Sequence, residues 1–323
     1  MSWLTRATNR LPDVLGVMLI SFFILVALLA PYLAPSRYII LHFNPSEPYY
    51  SKLSYKLSLF PQAPGPNALL GTNSRQHDIY YSLVWGTRSA LLFSLVVCLS
   101  AAALGVVIGA VSGYAGGWLG RLSMSVTSGF LTIPVIAAYV IMDMIKRIAW
   151  ERLVGTDYPA GNFYSFSGSS PAGIILFAID PLMLALILFS WMPYARILNG
   201  LVAALKSSEY VLAARSVGVK NRRIIFRHIL PNALPPMLVL LGRDIGSVVL
   251  LQAGLTFAGF GGNSVWGSLL WNGMNWIMGG PNILSYWWVW LPATFTIMLY
   301  GIGWNLFGET LNRRFDPRRF GRV

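Results

Sequence analysis

The chain has 323 residues, of which 55% are hydrophobic and 11% charged, with a formal net charge of +13. Soluble domains carry about 25% charged residues, so the composition excludes an ordinary soluble globular fold. One cysteine, Cys98, excludes an intrachain disulfide framework and a metal site built from cysteines.

Apolar runs of about 20 residues, the length that crosses a bilayer, recur along the chain. Residues 1–13 form a short basic lead, and 14–34 read as a first span ended by Pro31 and Pro35. That run is long and no small-residue cleavage site follows it, so it reads as a retained span, not a signal peptide. Residues 35–77 are polar, aromatic and proline-rich, and are expected outside the membrane. Tyr38, Tyr49, Tyr50 and Tyr55 there fit interfacial anchors or a surface facing another protein. His77 and Asp78 are adjacent, and neighbours on a backbone point apart, which argues against a metal pair.

Residues 78–312 hold five more expected spans. The second, 89–112, leads into a doubled small-xxx-small spacing of Gly105, Gly109 and Gly113, one helix face suited to close packing. A glycine-rich turn at 116–121 follows. Pro134 should kink the third span, 122–145, either beside a translocation path or as a packing feature. A polar, Gly- and Ser-rich segment runs over 146–171. Asp180-Pro181 interrupts the fourth run, 172–198, so its helix is expected to begin near Leu182. The fifth span, 233–260, contains Arg243-Asp244. Charges at the centre of a span cost about 2.5–3.5 kcal/mol each on insertion scales, so these face protein or water. A pathway or inter-subunit role and a structural role both remain open for them. A sixth span at 286–311 precedes a basic tail, 313–323.

With both termini cytoplasmic, 15 of the 24 Lys and Arg fall inside, eight fall outside, and Arg243 lies within a span. The excess agrees with the positive-inside rule. Seven of the inside charges lie in one stretch, 196–227, and most belong to the polar segment 209–232. There Ser207 or Ser208 can cap a short helix, Glu209 sits in its first turn, and Gly218 can end it. Asn221 can start a second helix with Ile224, Ile225, Ile229 and Leu230 near helical spacing, and Pro231 is expected to close it. Three readings fit: an interfacial loop, a DNA-reading helix–turn–helix, or a docking site for a cytoplasmic protein. A duplex-binding unit wedged between two spans would be unusual. Ala213, Ala214 and Gly218 are small enough to let another backbone approach closely.

This stretch resembles the cytoplasmic loop of ABC importer permeases, whose pattern is E-A-A, three residues, Gly, nine residues, I-x-L-P. Leu212-Ala213-Ala214 stands at the E-A-A place, Gly218 at the glycine, and His228-Ile229-Leu230-Pro231 at the end. Leu212 replaces the Glu. His228 replaces an Ile, as is common in the dipeptide/oligopeptide (peptide/nickel) branch. Leu70-Gly71-Thr72, Asp78, Gly86-Thr87-Arg88-Ser89, Tyr194-Ala195-Arg196, Trp266-Gly267 and Asp316-Pro317-Arg318 also resemble that branch, in order, and point to its second-permease (C-type) group.

The resemblance implies an all-α integral membrane protein with six transmembrane helices, the type I ABC importer permease fold, in a prokaryotic cell membrane. It implies ATPase docking through Glu209, Tyr210, Leu212, Ala213, Ala214, Arg215, Gly218, His228 and Pro231 in a loop over 200–232. Expected partners are a second homologous permease, one or two cytoplasmic ATPases, an external solute-binding protein and membrane lipid, but no nucleic acid. The chain shows no G-x-x-x-x-G-K-[ST] run, so it is expected to be no enzyme and to carry no cofactor, with ATP and Mg held by the ATPases. Di- or oligopeptides are the expected cargo; oligosaccharides or nickel are alternatives. An ion-coupled secondary transporter is the rival from another class. It would be expected to show inverted repeats and intramembrane carboxylates, and carboxylates are few here. A non-transporting membrane scaffold is the third reading.

Overall fold

The computed structural model describes residues 2–35, 60–66, 68–75, 77–154, 180–279, 282 and 284–315. The tyrosines at 38–55, most of the polar segment at 146–171 and the Asp316-Pro317-Arg318 motif lie outside these residues.

The described residues are mostly helical; those within 60–78 are non-helical and carry two isolated β-bridges, Gly65 with Ala68 and Thr72 with Asp78. α1 (Ser2–Leu33) takes the basic lead and the first apolar run into one helix. α2 (Ile79–Ala115) has 37 residues, ten more at its start than the apolar run suggests. At 1.5 Å per residue it is about 55 Å long, well beyond a hydrocarbon core of about 30 Å. Its start is set by Asp78, whose carboxylate accepts from the Tyr81 amide at 3.3 Å. The preceding turn is tight: Gly71 has φ of 77°, and a Cβ there would come within 2.5 Å of the Gln62 carbonyl. Asn73 Oδ1 accepts from the amides of Arg75 and His77, each at 2.9 Å. The Leu70–Asp78 motif therefore builds a turn and a helix cap.

Gly116, with φ of 63°, turns the chain directly into α3 (Gly117–Leu131). The expected kink at Pro134 is a full break. α3 and α4 (Val135–Val154) meet at 78°, and together they form one bent span or a re-entrant loop. Pro134 lacks an N–H, and the chain leaves α-helical pairing over 132–134. α5 (Pro181–Phe189) begins where Asp180-Pro181 suggested, with Asp180 Oδ1 accepting from Leu182 and Met183. It steps at Ser190 into α6 (Met192–Lys206). Past the polar segment, α10 (Pro235–Phe257), α11 (Val265–Gly279) and α12 (Trp287–Phe315) complete the bundle; α7 to α9 are described below.

Among the described residues, four helical stretches are long and apolar enough to cross a membrane: Pro12–Leu33, Ile79–Ala115, Pro181–Lys206 and Pro235–Phe257. The bent α3–α4 pair makes up to five. α12, expected as the sixth span, is not among them; it is long enough, but Trp, Gly and Asn dilute its apolar character.

Two cores hold the helices. One packs Phe23, Val97, Leu182, Val249, Trp266, Tyr300 and Trp304. The other packs Ala101, Ala110, Tyr194, Leu198, Val202 and Met237 beneath the polar segment. Outward faces remain apolar: Val14, Met18, Phe22, Leu25, Leu28 and Tyr32 form an exposed stripe along α1. Such a continuous stripe is uncommon on a water-facing monomer and suits lipid contact. At one end Asp13 of α1 accepts from Thr310 at 3.1 Å and lies 3.5 Å from Arg313, tying α1 to α12.

Candidate docking surface

The polar segment is a raised surface on an apolar base. α7 (Glu209–Ser216) leads into α8 (Asn221–Ile224), a π-helical turn (Ile225–Ile229) and α9 (Leu230–Ala233). Val211, Ile224, Ile229 and Ala233 are fully buried, all in the second core. Burying a Val or Ile side chain contributes about 1.5–3 kcal/mol, enough to seat such short helices. The opposite face is open. Glu209, Tyr210, Leu212, Ala213, Arg215 and Gly218 are exposed, and Ala214 is half-buried. Leu212, at 51% exposure, and Tyr210 and Val217 are apolar side chains left open to the surroundings.

The Gly218 turn follows from backbone chemistry. Gly218 has φ of 80°, its amide donates to the Arg215 carbonyl at 2.9 Å, and the Val219 amide donates to the Ala214 carbonyl at 3.1 Å. This paired arrangement satisfies carbonyls left open at a helix end, and glycine adopts the required left-handed φ most readily. The serines act differently from expectation. Ser208 occupies the N-cap position, but its hydroxyl donates to the Leu205 carbonyl, as Ser207 donates to Ala204. Both side chains close the end of α6 instead of capping α7.

Pro231 does not close the second helix. The chain passes through it because residues 225–229 widen into a π turn, where the Leu230 amide pairs with the Ile225 carbonyl. The wide turn makes room for a residue that lacks an N–H and crowds the preceding turn. Asn232 Nδ2 also donates to the His228 carbonyl at 2.7 Å. Pro231 is exposed and His228 half-buried. Lys220, Arg222, Arg223, Phe226, Arg227 and Pro231 line an open groove of about 730 Å³ along α8 and the π turn.

One residue that sequence reasoning passed over ties this surface down. Tyr114, at the end of α2, donates its hydroxyl to Asn221 Oδ1 at 2.6 Å and accepts from Arg215 Nη2 at 3.1 Å. The Lys206 ammonium donates to the Tyr114 carbonyl and lies 5.2 Å from the ring centroid; the Arg215 guanidinium lies 5.5 Å from it. Its partners are about 90–110 residues away in sequence, so no local pattern reveals it.

The glycine face of α2 leads from this surface into the bundle. A Cβ at Gly105 would come within 2.6 Å of the Trp191 carbonyl, one at Gly109 within 2.6 Å of the Ala195 carbonyl, and one at Gly113 within 2.7 Å of the Asn199 carbonyl. The three glycines let α2 and α6 touch backbone to backbone, the most extensive helix pairing among the described residues. Asn199 Nδ2 donates to Ser112 Oγ at 2.9 Å within that contact.

Arg243 and Asp244 diverge on α10. Asp244 is half-buried and accepts from the Tyr194 hydroxyl of α6 at 2.7 Å. Arg243 is exposed, and its side-chain base lies against Gly308 of α12. Pro134 stands apart from both, at the α3–α4 break, and is exposed. The structure therefore does not assemble Arg243, Asp244 and Pro134 into one cluster. Among the described residues no group of three His, Cys, Asp or Glu side chains is placed to hold a metal ion.

An apolar-faced helical bundle carrying a raised, basic surface suits a membrane protein. Residues 105–321 match the family described as binding-protein-dependent transport system inner membrane component. That match covers more than half of the chain, and the chain belongs to this family. It is 28% identical over 308 residues to the dipeptide transport system permease protein DppC of Alkalihalophilus pseudofirmus, covering 94% of this chain and 85% of that protein. It is 27% identical over 277 residues to the oligopeptide transport system permease protein OppC of Mycobacterium tuberculosis (84% and 83%). Identity to the probable D,D-dipeptide transport system permease protein DdpC of Escherichia coli is 27% over 255 residues (78% and 74%). The chain is thus the multi-pass membrane component of a binding-protein-dependent transporter, a transport subunit and not a catalytic one.

Proposed function

We propose that this chain is one permease subunit of an ATP-driven importer of di- and oligopeptides in a prokaryotic plasma membrane. It would have six spans and cytoplasmic termini. It would pair with a second permease, one or two ATPases carrying ATP and Mg, and an external solute-binding protein. The observation that carries this reading is the exposed face of α7, with Leu212-Ala213-Ala214 and the Gly218 turn displayed on a buried apolar base. Such a face can take a push from a cytoplasmic subunit without collapsing. The peptide cargo is supported by the names of the relatives, dipeptide, oligopeptide and D,D-dipeptide transport system permeases.

In this reading ATP binding elsewhere biases a two-state membrane unit. Closure of the ATPases displaces α7, and the α2–α6 contact passes the shift into the bundle. Exposed Arg243 faces the second permease or the pathway, while Asp244, engaged by Tyr194, holds α10 on α6. The α3–α4 break at Pro134 would be a gate hinge.

The test is purification of the chain from its native membrane in mild detergent, with mass spectrometry of what accompanies it. Recovery of a second permease and P-loop ATPases is expected. Recovery of the chain alone, repeated after crosslinking, would sink the proposal. Peptides bound to a co-purifying solute-binding protein would support the cargo; a bound sugar or nickel would overturn it.

A further inference from the structure

The Tyr114 contacts join three elements that the sequence keeps far apart. The backbone carbonyl of Tyr114 takes the ammonium of Lys206, the last residue of α6. The ring lies between Lys206 and Arg215, at 5.2 and 5.5 Å from the two cations. The hydroxyl accepts from Arg215 on one side of the Gly218 turn and donates to Asn221 on the other, at 3.1 and 2.6 Å. The carbonyl and the hydroxyl of one residue are thus spent on the two ends of a turn and on the helix that precedes it. Within α7 only Val211 is fully buried, with half-buried Ala214 one turn on, so apolar packing holds that helix along one narrow edge. Tyr114 adds a polar hold at the far end of the helix, through Arg215 and Asn221. Directly behind it, Gly113 brings α2 against Asn199 and Val202 of α6.

From this we infer that Tyr114 is the positioning residue that makes α7, the Gly218 turn and the end of α2 move as one body when the ATPases act. The inference rests on the docking reading of α7. The ring holds Arg215 and Lys206 through the attraction of cations to its π face, and the hydroxyl fixes the turn by pairing with Arg215 and Asn221 at once. Without the latch α7 would still rest on Val211 and Ala214, but would roll about that edge and absorb the ATPase movement instead of passing it to α2.

The experiment uses the whole complex, reconstituted with its ATPases, with spin labels at Ser216→Cys on α7 and Val111→Cys on α2. Cys98 is buried and does not compete for label. Distances are measured without nucleotide and after trapping with ATP and vanadate. The unaltered residue should give the same distance in both states. Tyr114→Leu should give a second, separated population in the trapped state. Tyr114→Phe keeps the ring and loses the hydroxyl, and should give a smaller share of it. A purely structural role would lower the melting temperature and leave the trapped-state distances unchanged; that result overturns the inference, and Tyr114→Phe decides it if the leucine variant does not fold. In parallel, Ala213→Cys should crosslink to an ATPase subunit. Absence of that crosslink overturns the docking reading and the latch together, whereas a crosslink with unchanged distances overturns the latch alone.

Discussion

Gly218 separates conformation from space. Nothing lies within 4 Å of where its Cβ would be, yet its φ is 80°. A side chain there meets no neighbour and costs about 1–2 kcal/mol through backbone strain alone. Gly218→Ala should therefore lower thermal stability slightly and loosen the turn, and Gly218→Asn should be milder. Gly218→Trp adds bulk on the exposed face; it should leave membrane insertion intact and abolish ATPase retention on co-purification. Retained ATPase with the tryptophan in place would move the docking surface elsewhere. Tyr194 and Asp244 offer a second test. Tyr194→Phe leaves a half-buried carboxyl group without its donor, a loss of about 1–3 kcal/mol. Asp244→Asn keeps an acceptor for Tyr194 and should cost less. The double variant should cost less than the two single changes added, as measured by thermal unfolding in one detergent.

Between helices, the glycine face of α2 makes a sharper prediction than composition does. Gly109→Val would drive a branched side chain into the Ala195 backbone, so it should sharply reduce folded protein recovered from the membrane. Gly200, with open space around it, is the matched control, and Gly200→Ala should be tolerated or slightly stabilising. The glycine spacing, the start of α5 at Asp180-Pro181 and the turn at Gly218 were legible in the sequence because each is a local rule of backbone geometry. Three other features were not. The first ten residues of α2 are held by tertiary contacts, among them Gly86 against Trp266, and not by an apolar run. Pro134 predicts a disturbance, but the 78° angle depends on what α3 and α4 pack against. The seryl hydroxyls chose carbonyls of the preceding helix over amides of the following one, a competition between neighbours that propensity does not rank.

For the whole molecule, the inside excess of Lys and Arg predicts orientation. Cysteine at Ser216 should react with a membrane-impermeant reagent only from the cytoplasmic side. Cysteine at Leu69, which is 68% exposed, should react only from the other. Labelling of both from one side would invert the topology or remove a span. The tie between Asp13 and Arg313 looks like a clasp between chain ends, but both side chains are partly solvated. Surface ion pairs of this kind contribute about 0–1 kcal/mol. Arg313→Ala should barely move the melting temperature, because the apolar seam of α1 on α12, with Gly16 against Leu306 and Gly303 against Leu19, holds the ends together. The family identity was readable from ordered motifs across the chain. The Tyr114 knot was not, since it exists only once distant helices have been brought together.

The wide turn at 225–229 makes chain length itself a variable at this surface. A π turn holds one residue more than the α-helical path it replaces. Deleting a single residue there would restore ordinary pairing and rotate α8 by about 100° relative to α9. Ile224 would leave its pocket, and Asn221 would swing away from the tyrosine. A single-residue gap in this turn, in a relative or an engineered variant, would therefore re-aim α7 without altering any residue that composes it.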